Sequence, residues 1–212
     1  MPARIFVLAG VNGAGKSSVG GAALLQKKVE YFNPDQVARS LLDADPGLSA
    51  QQANGRAWEL GRKGLERALA EGLNFAFETT LGARTIPQML LDGARQGAQI
   101  HLWYAGLASP ELHLQRVQAR VAAGGHDIPE AKIRERYDTS RANLIRLLPH
   151  LASLRIYDNS AQGDPQAGQR PKPVLLLHME AGRVVTHIPL AQVPQWAKPV
   201  MAAALKRPEG LG

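Results

Sequence analysis

Short, continuous apolar runs alternate along this chain with stretches of helical spacing. Ile5-Phe6-Val7-Leu8-Ala9 is the first run, and Lys28-Val29-Glu30-Tyr31-Phe32 is a short second strand, broken by Asn33-Pro34-Asp35 before helical spacing resumes at Gln36. Asp45-Pro46-Gly47 is a turn, and Leu48 to Glu71 carries one long helical pattern with Gly72 placed as its C-cap. Leu73 to Leu81 and Ile100 to Ala105 read as the third and fourth strands, with a helix starting near Arg84 between them. Ser109-Pro110-Glu111 caps a helix through Arg116 and Arg120, and Ala123 to Glu130 is a glycine hinge from which Pro129 opens another helix. Leu154 to Asn159 is a fifth strand, followed by a loop from Ser160 to Pro173. Pro173 to His178 and Arg183 to Ile188 flank Glu180-Ala181-Gly182 as a β-hairpin, and Val193 to Lys206 forms a short helix with Trp196. Strands alternating with helices predict an α/β fold: a parallel sheet with helices on both faces.

Between the first strand and the first helix lies Gly10-Val11-Asn12-Gly13-Ala14-Gly15-Lys16-Ser17, a full match to G-x-x-x-x-G-K-[ST]. Such a loop turns backbone N–H groups inward around phosphate oxygens, and the following helix adds its positive end to the same anion. Gly10, Asn12, Gly13, Ala14, Gly15, Lys16, Ser17 and Ser18 are the expected nucleotide contacts. Lys16 reaches the β- and γ-phosphates of ATP, and the Ser17 hydroxyl ligates Mg²⁺.

Three further features favour transfer of the γ-phosphate over simple hydrolysis. Asp35 lies just past a strand end, where open parallel sheets place their ligands, although Asn-Pro-Asp is equally a helix start. Glu78 ends the third strand, where it can hold the Mg²⁺ water shell or a substrate hydroxyl. Thr79 and Thr80 beside it suit substrate binding, or cap the next helix. Residues of about 116–148 form a lid with several arginines, Arg120, Arg134 and Arg136 among them, and His126 in its hinge touches nucleotide or substrate, or else a local hydrogen-bond partner.

Charge adds to this picture mainly through its distribution. Residues 1–115 hold 11 basic and 10 acidic side chains, whereas 116–155 hold 8 basic against 4 acidic, more than half of the net +7. An arginine-rich segment late in such a chain fits a lid over triphosphate. Nucleic acid is a disfavoured partner, because aromatic content is 5% and no basic patch is interleaved with aromatics. The absence of cysteine rules out disulfides and thiolate metal sites. With no apolar run long enough to span a bilayer and no signal-peptide pattern, the expected location is cytoplasmic. The 212 residues are expected to form one domain, 1–212, with the hairpin and tail at about 173–212. That C-terminal piece could cover a sheet edge, make a dimer contact or join the acceptor pocket.

The phosphate loop, Phe32-Asn33-Pro34-Asp35, Phe77-Glu78-Thr79-Thr80-Leu81, Arg120 to Pro129, Ile133 to Tyr137 and Asn143-Leu144 together resemble the zeta-toxin family of P-loop kinases. The resemblance runs in order from residue 5 to about 158 and implies a P-loop NTPase fold with ATP- and Mg²⁺-dependent phosphorylation of a hydroxyl. For the toxin branch it implies UDP-N-acetylglucosamine as the small-molecule acceptor. By matching position it makes Asp35 the base, lets Glu78 and Thr80 hold the acceptor, and gives the triphosphate to Arg120 with Arg134 or Arg136. The glycine hinge is closer to a broad bacterial branch of predicted ATPases than to the toxins. Two other readings compete: a polynucleotide 5′-hydroxyl kinase, and a nucleotide-dependent switch or toxin held by an antitoxin-like protein partner.

Overall fold

The computed structural model describes residues 1–25, 31–125, 127–161 and 172–206. The loop expected at 160–173 lies mostly outside them, as do His126 and the start of the expected second strand.

β1 (Arg4–Ala9), β2 (Tyr31–Phe32), β3 (Asn74–Thr79), β4 (Gln99–Gly106) and β5 (Ser153–Asp158) pair in parallel, in the order β2-β3-β1-β4-β5. The sheet does not end there. β6 (Val174–Glu180) and β7 (Arg183–His187) form the expected hairpin, and β6 pairs antiparallel with β5. Among the described residues the sheet has seven strands and is mixed rather than wholly parallel, because the hairpin enters beside β5 with its first strand reversed.

β1 is buried along almost its whole length because both of its faces are covered. Ile5, Val7 and Ala9 join the large core, together with Leu65 and Ala68 of α3 (Ala50–Glu71), Leu90 and Leu91 of α4 (Thr85–Arg95), Leu144 and Leu147 of α6 (Glu130–Leu147), and Val200 and Met201 of α7 (Lys198–Leu205). Phe6 and Leu8 point the other way, with Ala76, Trp103 and Val19 of α1 (Lys16–Leu25). Helices thus lie on both faces. Here α1 sits so close to β1 that a Cβ at Gly20 would come within 2.4 Å of the Leu8 side chain.

Local signals explain where the helices start and stop. Ser49 and Gln52 form a reciprocal capping box at the head of α3, and Gly72 ends it in the left-handed region at φ 69°. Asn33, not Asp35, caps α2 (Pro34–Ala44), accepting from the backbone N–H groups of Asp35 and Gln36. Ser109 caps α5 (Pro110–Ala122). The expected C-terminal helix is shorter than the pattern, because Pro194 and Lys198-Pro199 confine α7 to the stretch after a 3₁₀ turn. The turn 195–197 puts Trp196 against Gly106, with its indole N–H donating to Asp158. Arg141 donates to the Trp196 carbonyl, which ties this C-terminal piece to α6.

Candidate active site

Parallel pairing brings the carboxyl ends of β1 and β3 level, with Leu8 beside Glu78 and Ala9 beside Thr79. The loop leaving β1 is closed by Ala14 N–H to Val11 O and Ser18 N–H to Gly15 O, both at 3.0 Å. At Gly15, φ is +73° and a Cβ would stand 2.3 Å from Asn159 Nδ2, so no other residue fits without displacing that side chain. Asn159, just past β5, donates to Ala14 O at 2.9 Å, and buried His113 of α5 donates from Nδ1 to Asn12 O at 2.8 Å. Val11, Val117 of α5 and Ile133 of α6 make a separate apolar cluster, so both arginine-bearing helices pack against the phosphate loop itself. Ser17 and Ser18 stand in the first turn of α1, where free N–H groups favour an anion.

Lys16 is 13% exposed and points back into this cradle. Its Nζ donates to Gly10 O at 3.1 Å and stands 3.8 Å from Glu78 Oε2. Burial pushes its pKa down, and the Glu78 carboxylate opposes that shift. Glu78 also accepts from the Tyr31 hydroxyl and from Asn33 Nδ2, so groups from the end of β2 and from the phosphate loop converge on it. Burial and this contact push the Tyr31 phenol above its usual range, keeping it a donor. Ser17 and Glu78 present hard oxygen donors of the kind Mg²⁺ takes.

The remaining expected residues divide. Arg120 of α5 reaches Asp35 on α2, Nη1 to Oδ2 at 3.4 Å, with both side chains substantially exposed. Arg136 of α6 donates to Asn12 Oδ1 at 2.8 Å, and burial lowers its pKa. Arg134 goes elsewhere: it pairs with Glu111 at 2.7 Å and Glu130 at 2.8 Å on the outer surface, so the structure does not bring it to the crevice. Helical geometry separates the two outcomes, since side chains two apart on α6 point to different sides. Thr79 and Thr80 do not cap α4, whose N-cap is Arg84; their hydroxyls accept from the backbone N–H groups of Leu81 and Gly82, keeping their protons to donate.

A cavity of ≈ 460 Å³ joins these groups. Asn12, Lys16, Asp35, Glu78, Thr79 and Arg136 line it, facing apolar walls that include Phe32, Trp58 and Pro129. Sequence reasoning did not single out Tyr31, His113 or Asn159, and it named Asn143 only within the family resemblance. Asn143 of α6 donates to Leu81 O at 2.8 Å and Ala83 O at 3.1 Å, and Ser140 Oγ donates to Thr80 O. These bonds hold the turn after Glu78, where Leu81 takes φ 58°. Tyr31 stands in β2 two residues before Asn33, a signal that was available; His113 and Asn159 act through space alone.

A mixed sheet with a glycine loop between β1 and α1, and helices α5 and α6 packed over that loop, defines a P-loop NTPase fold of kinase-like form. Residues 5–143 match the AAA_33 family of AAA domains, and the chain belongs to that family. A protein of Haemophilus influenzae described only as uncharacterised is 30% identical over 138 residues, covering 65% of this chain and 94% of the relative. The same fold occurs in the crystal structure of AvrRxo1-ORF1:-ORF2 with ATP, at TM-score 0.67 and 17% identity over 96% of this chain. The chain spans 64% of the length of that protein. The PezAT chromosomal toxin–antitoxin system of Streptococcus pneumoniae also contains it, at TM-score 0.53 and 17% identity, over 80% of this chain and 74% of the other. Among the described residues, no helix is long and apolar enough to cross a membrane.

Proposed function

We propose that this protein is an ATP- and Mg²⁺-dependent kinase of zeta-toxin-like type, phosphorylating a hydroxyl of a small molecule such as a sugar nucleotide. The observation that carries the reading is one cavity lined by Lys16, Asp35, Glu78 and Arg136 together. It provides the desolvated cations, the carboxylate and the space that phosphoryl transfer to a bound alcohol requires. Residues 1–212 act as one kinase domain, with α5 and α6 as the lid.

In this reading the loop N–H groups and Lys16 hold the β- and γ-phosphates, and Lys16 leaves Glu78 to do so. Ser17 and Glu78 would hold Mg²⁺, which when bound would supply positive charge against the phosphates. Asp35 accepts the acceptor hydroxyl's proton as that oxygen bonds to the γ-phosphorus. The bond from γ-phosphorus to the β–γ bridging oxygen breaks, and ADP leaves with that electron pair. Arg120 lets go of Asp35 and, with Arg136, turns to the moving phosphoryl group; an exposed pair is cheap to separate. Thr79 and Thr80 donate to the acceptor.

The test is ATP consumption against a panel of hydroxyl compounds. Lys16→Ala abolishes turnover, and Asp35→Asn lowers acceptor-dependent turnover by about 10²–10⁴ while ADP still binds. Unchanged acceptor-dependent turnover in Asp35→Asn would overturn the assigned base. A second reading, in which an antitoxin-like protein controls the site, draws support from the fold shared with AvrRxo1 and PezAT. ATPase stimulation by protein alone, never by small hydroxyl compounds, would favour it.

A further inference from the structure

The cavity has one wall whose composition neither packing nor phosphate chemistry explains. Asn54, Gly55, Trp58, Gly61 and Arg62 of α3 line it, positions that share one face at the helical period. Gly61 has a packing reason: a Cβ there would come within 2.7 Å of the Phe32 ring. Gly55 has none, since a Cβ would meet nothing within 4 Å. Glycine is the poorest helix former after proline, yet here it sits exposed near the start of a long helix with open space before it. One turn on, Trp58 is 44% exposed, whereas Trp103 and Trp196 are buried at 4% and 3%. Long helical side chains lean toward the preceding turn, which for Trp58 means toward Asn54 and Gly55. Ile86, Pro87, Ile128 and Pro129 line the same cavity.

From this arrangement we propose that Trp58 and Gly55 form a slot for a flat, apolar ring carried by the acceptor, and that this slot excludes open-chain alcohols. The inference rests on the acceptor reading above and adds the acceptor's chemical class. An indole left exposed in a concave, mainly apolar site gains most by covering a ring, and the missing side chain at position 55 makes the room. The hydroxyl-bearing part of the same molecule extends from the ring toward Asp35 and Lys16.

Trp58 is the one exposed tryptophan of the chain's three, so quenching by neutral acrylamide reports on it, and Trp58→Phe checks that assignment. The probes are phenyl β-D-glucopyranoside and sorbitol, added to the ADP-bound protein. The glucoside lowers the Stern–Volmer slope about twofold, because a pocket covers most of a small ligand's contact surface; sorbitol leaves it unchanged. Gly55→Leu fills the slot and removes the protection, while Gly55→Ala, which retains some room, keeps part of it. Equal protection by sorbitol, full protection in Gly55→Leu, or none from the glucoside up to its solubility limit would overturn the slot. Protection without phosphate transfer from ATP to any ring compound would leave the slot standing and count against the kinase. Turnover of sorbitol at the same rate in wild type and Gly55→Leu would do the reverse.

Discussion

Lys16 Nζ lies 3.8 Å from Glu78 Oε2, a contact between two side chains only 13% and 11% exposed. The cation proposed to bind phosphate is therefore paired with the carboxylate proposed to serve Mg²⁺. On the proposed reading, a phosphate binding at Lys16 would compete with Glu78 and be repelled by its charge. Glu78→Gln removes both obstacles. Metal-free ADP should bind about tenfold tighter, the size of effect expected for losing one half-buried charge contact. Added Mg²⁺ should improve ADP affinity less than in wild type. Calorimetric titrations with EDTA and with Mg²⁺ measure both changes.

Gly15 faces Asn159 across the loop, and a methyl group at position 15 would stand 2.3 Å from Nδ2, too close for both to keep their places. Gly15→Ala should break the Asn159–Ala14 bond as well as strain φ, costing about 2 kcal/mol or more in urea unfolding. Nucleotide binding should fall further than stability does, because the same carbonyl-to-amide framework shapes the cradle. Asn159→Ala separates the two effects: it removes the bond without touching φ.

Asn143 satisfies two carbonyls in the turn that follows Glu78 while being only 8% exposed. Its removal in Asn143→Ala leaves both carbonyls short of a donor and should cost about 2 kcal/mol. Leu81 keeps φ 58° only while that turn is held, so in the variant the loop should also exchange amide protons faster than in wild type. Hydrogen exchange at residues 80–83 checks this.

The parallel core and its phosphate loop were legible because β1 is a continuous apolar run, the other strands alternate with helical stretches, and the loop motif is tied to backbone geometry. The hairpin was legible too, but not its docking on β5, since pairing between distant strands leaves no local trace. Asp35 and Arg120 meet across 85 positions, and His113 and Asn12 across 101. Such contacts depend on how α5 lies over the loop. Arg134 shows another limit: the resemblance did not choose between positions 134 and 136, and α6 turns the first of them outward to Glu111. Tyr31 was read only as a strand residue, although a tyrosine beside a buried glutamate needs a hydroxyl partner.

His113 yields the clearest pH dependence. It is 1% exposed, its Nδ1–H is committed to Asn12 O, and its ring meets the edge of Tyr137 at 5.8 Å. Burial, against the opposing pull of the Asn12 carbonyl, moves its pKa from 6.5 down to about 4. Between those values the unfolded chain binds a proton that the folded protein refuses. The stability that His113 permits is therefore fully present above pH 6.5 and declines as pH falls toward 4, where the loss levels off. The whole window is worth about 3 kcal/mol, and most of it should be gone by about pH 4.5. Depressed carboxylates such as Glu111 add losses of the same sign at lower pH, so the wild-type curve alone does not isolate the histidine. His113→Gln does, because an amide can still donate to Asn12 O but does not titrate. Urea unfolding at pH 7 and pH 5 should show a markedly smaller pH effect in the variant than in wild type. Parallel curves would mean that the buried imidazole takes its proton without disturbing the loop.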